Sequence, residues 1–169
     1  MNIACLLDEG FEDSEFKDPY VQLRAAGHGV TVIGLERGAT LSGYRGHETI
    51  TTDQGITDSD PDEFDALFMP GGYSPDHLRA DDRMVDFVRR VMQDSKPVLA
   101  ICHGSQLVLS AGVAEGRRMT AWKTVQNDLR YAGADVVDEE VVVDGNLVTS
   151  RRPSNIPAFV AKGLELLRS

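Results

Sequence analysis

Lys96–Gln106 reads KPVLAICHGSQ, and this stretch decides the fold. Pro97–Ile101 is short and nearly all apolar, the pattern of a strand buried on both faces of a parallel sheet. Cys102 follows at once, then His103, Gly104, Ser105 and a helical apolar pattern through Ala111. A strand, a sharp turn and a helix with a nucleophile-capable residue at the turn form a nucleophile elbow. The turn exposes the side chain, and the free N–H groups and dipole of the following helix favour thiolate over thiol. The expected consequence is a Cys102 thiol below the ~8.5 of a free cysteine. The plain alternative, a buried cysteine at a strand end, leaves the glycine after the turn unexplained; Gly104 permits close backbone approach.

Upstream, Asp82 is read as capping an amphipathic helix with Val85, Val88 and Met92 on one face. Before it, Phe64–Met69 reads as a strand closed by Pro70-Gly71-Gly72. Glycines just past a strand end make either an anion-holding backbone nest or an ordinary tight turn. Towards the N-terminus, Asn2–Asp8 is a strand with Cys5 as a small core residue, Asp8–Asp13 a polar loop, and a helix runs to about Ala26, with Gly27 as its C′ glycine. Val30–Leu35 is a second strand, Thr40–Thr52 a short hairpin or excursion, and Asp53–Glu63 acidic and turn-rich. Gly27, Gly29 and Gly34 lack dinucleotide-fingerprint spacing.

Downstream, Arg118–Ala121 reads as a short strand and Thr124–Ala132 as a helix. Glu140–Val143 and Asn146–Ser150 flank Asp144-Gly145, a hairpin signal, and Pro157 opens a last helix. Strands alternating with helices imply an α/β fold, a mostly parallel sheet covered on both faces, with its site at the carboxyl ends of the strands. Three loops meet there: Asp8–Asp13, Gly71–Pro75 and Cys102–Gly104.

The 169 residues suit one domain, and 41% hydrophobic with 26% charged residues is an ordinary globular composition. A net charge of −10 makes nucleic acid and anionic membrane poor partners. No signal peptide or membrane span is expected, and the two cysteines, Cys5 and Cys102, suit a reducing cytoplasm. No Cys/His grouping has metal-ligand spacing, so neither metal nor cofactor is expected.

Glu12 and Glu15, three apart at a helix start, share a face. Either could reach the elbow sulfur with a raised pKa and move a proton there; as solvated first-turn acids they would only favour the helix dipole. None of the four histidines lies beyond His103, which argues against a glutaminase-type triad with a later histidine. Neighbours at a sharp turn point apart, so the His103 N–H, with that of Gly72, is a better oxyanion donor than its ring is a base for Cys102.

With these residues in hand, the chain resembles the PfpI (intracellular protease-like) family of the ThiJ/PfpI superfamily. The matching stretches are FEDSEF at 11–16, RAAGHGVTV at 24–32, EFDALFMPGGYSPDHLR at 63–79, KPVLAICHGSQLVLSAGV at 96–113, DEEVVVDGNLVTSR at 138–151 and PAF at 157–159. The resemblance implies a flavodoxin-like three-layer sandwich over 1–169 and a homodimer or larger homo-oligomer. It implies Cys102 as nucleophile with a glutamate of FEDSE beside it, and His103 paired with a carboxylate supplied by a neighbouring subunit. Three positions depart from the pattern. Ser105 replaces a proline, and starts a helix as well as proline does. Asp76 replaces a longer glutamate as the partner carboxylate. Trp122 stands where the family carries an aromatic or histidine near the thiol, either lining the pocket or packing in the core.

The implied function is a cysteine-dependent, stress-type hydrolase or lyase acting through Cys102 on reactive carbonyls, with methylglyoxal and its early adducts as substrates. The alternatives are an intracellular cysteine peptidase using His103 and Asp76 at an oligomer interface, and a redox-sensing or holdase protein using Cys102 oxidation.

Overall fold

The computed structural model describes residues 1–169. In chain order the elements are β1 (Asn2–Leu6), α1 (Asp13–Ala25), β2 (Gly29–Gly34), β3 (Thr40–Ser42), β4 (Thr49–Thr51), β5 (Gln54–Gly55), β6 (Ala66–Met69), α2 (Ser74–Leu78), α3 (Asp82–Gln93), β7 (Val98–Ile101), α4 (Ser105–Ser110), β8 (Arg118–Met119), α5 (Lys123–Tyr131), β9 (Asp135–Val136), β10 (Val141–Asp144), β11 (Leu147–Ser150) and α6 (Ile156–Arg168). The main sheet has the order β10-β11-β7-β6-β1-β2-β5. Every pairing in it is parallel except β10 with β11.

Strand parity makes the three layers. Ala4 and Leu6 of β1, Leu67 and Met69 of β6, and Val98 and Ala100 of β7 face one core with α3, α4 and α5. Ile3 and Cys5, Ala66 and Phe68, and Leu99 and Ile101 face the opposite core with α1 and α6. Both faces being covered, these strands read as continuous apolar runs rather than alternating ones. This is the expected flavodoxin-like α/β sandwich, with Cys5 fully buried inside it.

Several local expectations are corrected. The cap of α3 is Asp81, whose carboxylate accepts from the Arg83 N–H; Asp82 is the first helical residue. The β10–β11 loop is Gly145-Asn146, because Asp144 pairs with Leu147 and so belongs to the strand. The last helix opens at Ile156, with Pro157 in its first turn. The acidic 53–63 stretch holds β5 and two 3-10 turns, and Ser74–Leu78 forms a short helix that periodicity over so few residues does not reveal. The expected strand at 118–121 is only Arg118–Met119, paired in parallel with β9 outside the main sheet.

The sheet grows from β1 in both directions, with β2 on one side and β6 then β7 on the other. The crevice over such a reversal is where open α/β sheets hold their sites. The loops leaving β1, β6 and β7 lie side by side there, tied by paired backbone between Phe11 and both Gly43 and Gly72.

Candidate active site

Cys102 sits immediately after β7 with φ of 61°, a left-handed conformation that non-glycine residues rarely hold. Such strain costs of order 1–3 kcal/mol and persists only where its surroundings enforce it. Here the Trp122 N–H donates to the Cys102 carbonyl at 3.3 Å. Gly104 lies so close to the Met69 carbonyl that a Cβ would strike it. The elbow is therefore wedged between β6 and the loop after β8. Ser105 is the first residue of α4 and does not cap it; its buried hydroxyl lies 3.4 Å from the Thr120 carbonyl.

Cys102 is only 7% exposed and Glu15 is fully buried beside it. Glu15 Oε1 accepts from the Gly71 N–H at 3.2 Å. Its Oε2 has no hydrogen-bond partner, and the carboxyl lies beside Cys102, close enough that each group shifts the other's titration. Gly71 is required: a Cβ there would meet Glu15 Oε1 and come within 2.8 Å of the Cys102 Cβ. Burial first, then the negative charge of Glu12, pushes the Glu15 carboxyl up to about 8, so it carries a proton at neutral pH.

Glu12 occupies a different place. Its carboxylate N-caps α1, accepting from the Glu15 N–H at 2.8 Å, and its other oxygen accepts from Arg45 Nε at 3.0 Å. The two acids left open by spacing are thus separated by the structure: Glu15 faces the sulfur, and Glu12 faces Arg45 and the helix start.

The backbone N–H groups of His103 and Gly72 lie beside the Cys102 sulfur and favour its charged form. They do not lower the thiol as the elbow alone suggests. Burial pushes the thiol up, an ionised Glu15 pushes it further, and the two N–H groups oppose them. A protonated Glu15 removes that second push, so the thiolate depends on the proton Glu15 holds.

The His103 ring, expected to point away, folds back so that Nδ1 lies 3.4 Å from Cys102 Sγ. Burial pushes its imidazole down, partly offset by the charge of Asp76 in the same chain. Trp122 stacks on it, with centroids 6.3 Å apart, and lines the cleft rather than the core.

The cleft over Cys102 has a volume of about 580 Å³. Glu12, Glu15, Gly72, Asp76, His103 and Trp122 all line it, so every residue singled out by sequence borders one space. No group of three or more His, Cys, Asp or Glu side chains is arranged to hold a metal ion.

A family model described as DJ-1/PfpI family matches residues 1–166. The chain belongs to the DJ-1/PfpI family. General stress protein 18 of Bacillus subtilis is 50% identical to it over 166 residues, covering 98% of this chain and 96% of its own. Protein/nucleic acid deglycase 2 of Escherichia coli is 49% identical over the same share of each chain. The crystal structure of Drosophila melanogaster DJ-1beta matches with a TM-score of 0.89 at 30% identity, covering 98% of this chain and 89% of its own.

Against this DJ-1/PfpI background, sequence reasoning missed several residues of the cleft. Tyr44, Arg45, Tyr73 and Gln106 line it. Tyr44 and Tyr73 meet edge to face across its mouth at 5.6 Å. Tyr73 follows the glycine pair directly, a signal that was readable. Nothing in spacing connects Arg45 with Glu12, because a hairpin excursion brings them together.

Proposed function

We propose that this chain is a cysteine-dependent enzyme acting on methylglyoxal and the early adducts it forms on amines and thiols. One observation carries the reading: a fully buried carboxyl with one unpartnered oxygen beside the sulfur of a cysteine held in a left-handed elbow.

In this mechanism the Cys102 thiol gives up its proton to water in the cleft, and the thiolate adds to the aldehyde carbon. A C–S bond forms, the carbonyl π pair moves to oxygen, and that oxygen takes the Glu15 proton to give a hemithioacetal. The N–H groups of Gly72 and His103 turn from sulfur to the developing oxyanion. The Glu15 carboxylate then removes the C–H proton of the same carbon, and the pair flows to the adjacent ketone to give an enediolate. Glu15 returns that proton to the former ketone carbon while the hydroxyl proton of the sulfur-bearing carbon passes to the neighbouring oxygen, which gives a thioester; water then cleaves it to lactate and the thiolate, with Glu15 and solvent taking the two protons released. An amine adduct joins this path once its C–N bond breaks and the amine leaves with a proton. The whole sequence needs one thiol, one acid and two N–H donors, all from one subunit.

The second reading, a peptidase, is favoured by the 3.4 Å approach of His103 Nδ1 to Cys102 Sγ. Expelling a poor amine needs a positioned acid, and burial keeps this imidazole neutral rather than protonated. The net charge of −10 suits uncharged carbonyls and peptide adducts better than polyanions. No helix is long and apolar enough to cross a membrane. A cytoplasmic homodimer or larger homo-oligomer is the setting that the resemblance suggests.

The test is a substrate panel of methylglyoxal, glycated peptide and fluorogenic peptide on wild type and Cys102→Ser. Carbonyl turnover lost with the thiol supports the reading. Efficient peptide cleavage without carbonyl turnover refutes it in favour of the peptidase.

A further inference from the structure

Asp13 is a nearly buried carboxylate that touches neither Cys102 nor the cleft. Its Oδ1 accepts from the Arg45 N–H at 2.9 Å, and its Oδ2 accepts from the N–H groups of His47 and Glu48, each at 2.9 Å. Gly43, at the start of the same loop, lies so close that a Cβ would overlap the Asp13 carboxylate. The loop is closed on itself as well, with the Gly43 N–H donating to the Glu48 carbonyl at 2.9 Å. One side chain therefore gathers the whole β3–β4 loop onto the start of α1. Burial opposes the charge, yet the three N–H groups hold the Asp13 carboxyl below the usual carboxylate range. The clamp stays ionised across neutral pH.

The clamped loop carries Arg45, whose side chain is 53% exposed while Glu12 is 6% exposed. The guanidinium is held to the cleft mainly through its Nε bond to Glu12 at 3.0 Å. Glu12 in turn bonds the Glu15 N–H at 2.8 Å and the Ser14 hydroxyl at 2.6 Å. A chain of contacts thus runs from Asp13 through the loop backbone to Arg45, to Glu12, and to the segment bearing Glu15.

We propose that Asp13 is a positioning residue: by clamping the 43–48 loop it sets Arg45 over Glu12 and so holds the Glu12–Glu15 segment in register with Cys102. An exposed arginine on an unclamped hairpin loop loses side-chain and backbone freedom if it is to stay on one carboxylate, and a surface ion pair alone offsets little of that cost. Asp13 removes the backbone part of that cost in advance. The inference rests on the reading that Glu15 serves Cys102, and it does not depend on which carbonyl is the substrate.

The readout is the pH midpoint of Cys102 alkylation by iodoacetamide, which needs no substrate. The charged and titratable groups facing the Glu15–Cys102 pair are Glu12 at the N-cap of α1, Tyr44 and Arg45 from the β3–β4 loop, Tyr73 and Asp76 from the turn and helix after the glycine pair, and His103 from the elbow, with Asp13 outside the cleft behind the loop. Removing the Arg45 cation with Arg45→Met leaves Glu12 uncompensated, so the midpoint rises. Asp13→Asn removes a negative charge, which by itself lowers the midpoint. In the Arg45→Met background only that downward shift is expected. In the wild-type background the displaced Arg45 cancels or reverses it. The same downward shift in both backgrounds would overturn the proposal, because Asp13 would then act by charge alone. Circular dichroism and thermal melts establish that each variant is folded. If Asp13→Asn does not fold, Asp13→Glu is compared in the two backgrounds. It keeps the charge while pushing the loop outward, so a rise in wild type and none with Arg45→Met supports the proposal. Equal shifts in both backgrounds refute it. Loss of carbonyl turnover in the substrate panel would sink the enzyme reading without touching this result.

Discussion

Glu15→Gln isolates the acid at the centre of the site. Glutamine keeps the shape, can accept the Gly71 N–H and can donate to sulfur, but it cannot ionise. A carboxyl whose midpoint is about 8 in the fold and 4.5 when unfolded favours the folded state below 4.5. As pH rises from 4.5 the unfolded chain releases a proton that the fold retains, so stability falls until about 8 and is level beyond it. At about 1.4 kcal/mol per pH unit the loss across that window is about 5 kcal/mol. The variant has no such loss. Urea unfolding at pH 5 and pH 8 should therefore show Glu15→Gln gaining on wild type by about 4 kcal/mol between the two conditions. Turnover should fall by ~10²-fold or more, the usual cost of a lost proton-transfer group. The variant would be more stable at pH 8 and nearly inactive. A stability difference that does not change between pH 5 and pH 8 would show that Glu15 is an ordinary ionised carboxylate, and the proton assigned to it in the mechanism would have no source.

Three further outcomes are expected. Gly71→Ala should abolish turnover, because its methyl would lie 2.8 Å from the Cys102 Cβ and against Glu15; a kinetic assay showing near-wild-type turnover contradicts the described packing. Alkylation of the folded protein followed by mass spectrometry should modify Cys102 alone, since Cys102 opens onto the cleft while Cys5 is fully buried in the core; equal labelling without denaturant would show that β1 is misplaced. Asp76→Asn should leave methylglyoxal turnover within about twofold, because Asp76 acts on His103 through charge and makes no bond to it. If the substitution kills an efficient peptide cleavage instead, the peptidase reading is right.

The fold was largely legible because its central strands are buried on both faces. The apolar runs ending at Leu7, Met69 and Ile101 could only be interior strands of a parallel sheet, and their glycine- or acid-bearing exits named the site. The edges were less legible. β5, β8 and β9 are too short for periodicity, and a one-residue slip at Asp144 hides whether a turn residue belongs to the strand. At the site, helical spacing showed that Glu12 and Glu15 share a face but not which one meets the sulfur; that depends on how the start of α1 meets Gly71 in the loop after β6. The His103 rotamer and the thiol's balance between burial and N–H donors are tertiary quantities with no local signature. The Arg45–Glu12 pair, 33 residues apart, had none either.

The site draws on residues 12–15, 71–72 and 102–103, and the Glu15–Gly71 bond alone spans 56 residues. Contacts this remote close late, after the chain entropy between them has been lost. Before β1, β6 and β7 are paired, Cys102 has no left-handed turn to hold it, no acid beside it and no N–H groups aimed at its sulfur. An unfinished chain, on the ribosome or partly unfolded, thus presents an ordinary thiol to the electrophiles around it. The setting of the thiol changes in one step with the completed sheet, as burial pushes it up and the N–H groups oppose that push, which makes the change in the rate of Cys102 alkylation a direct clock of folding.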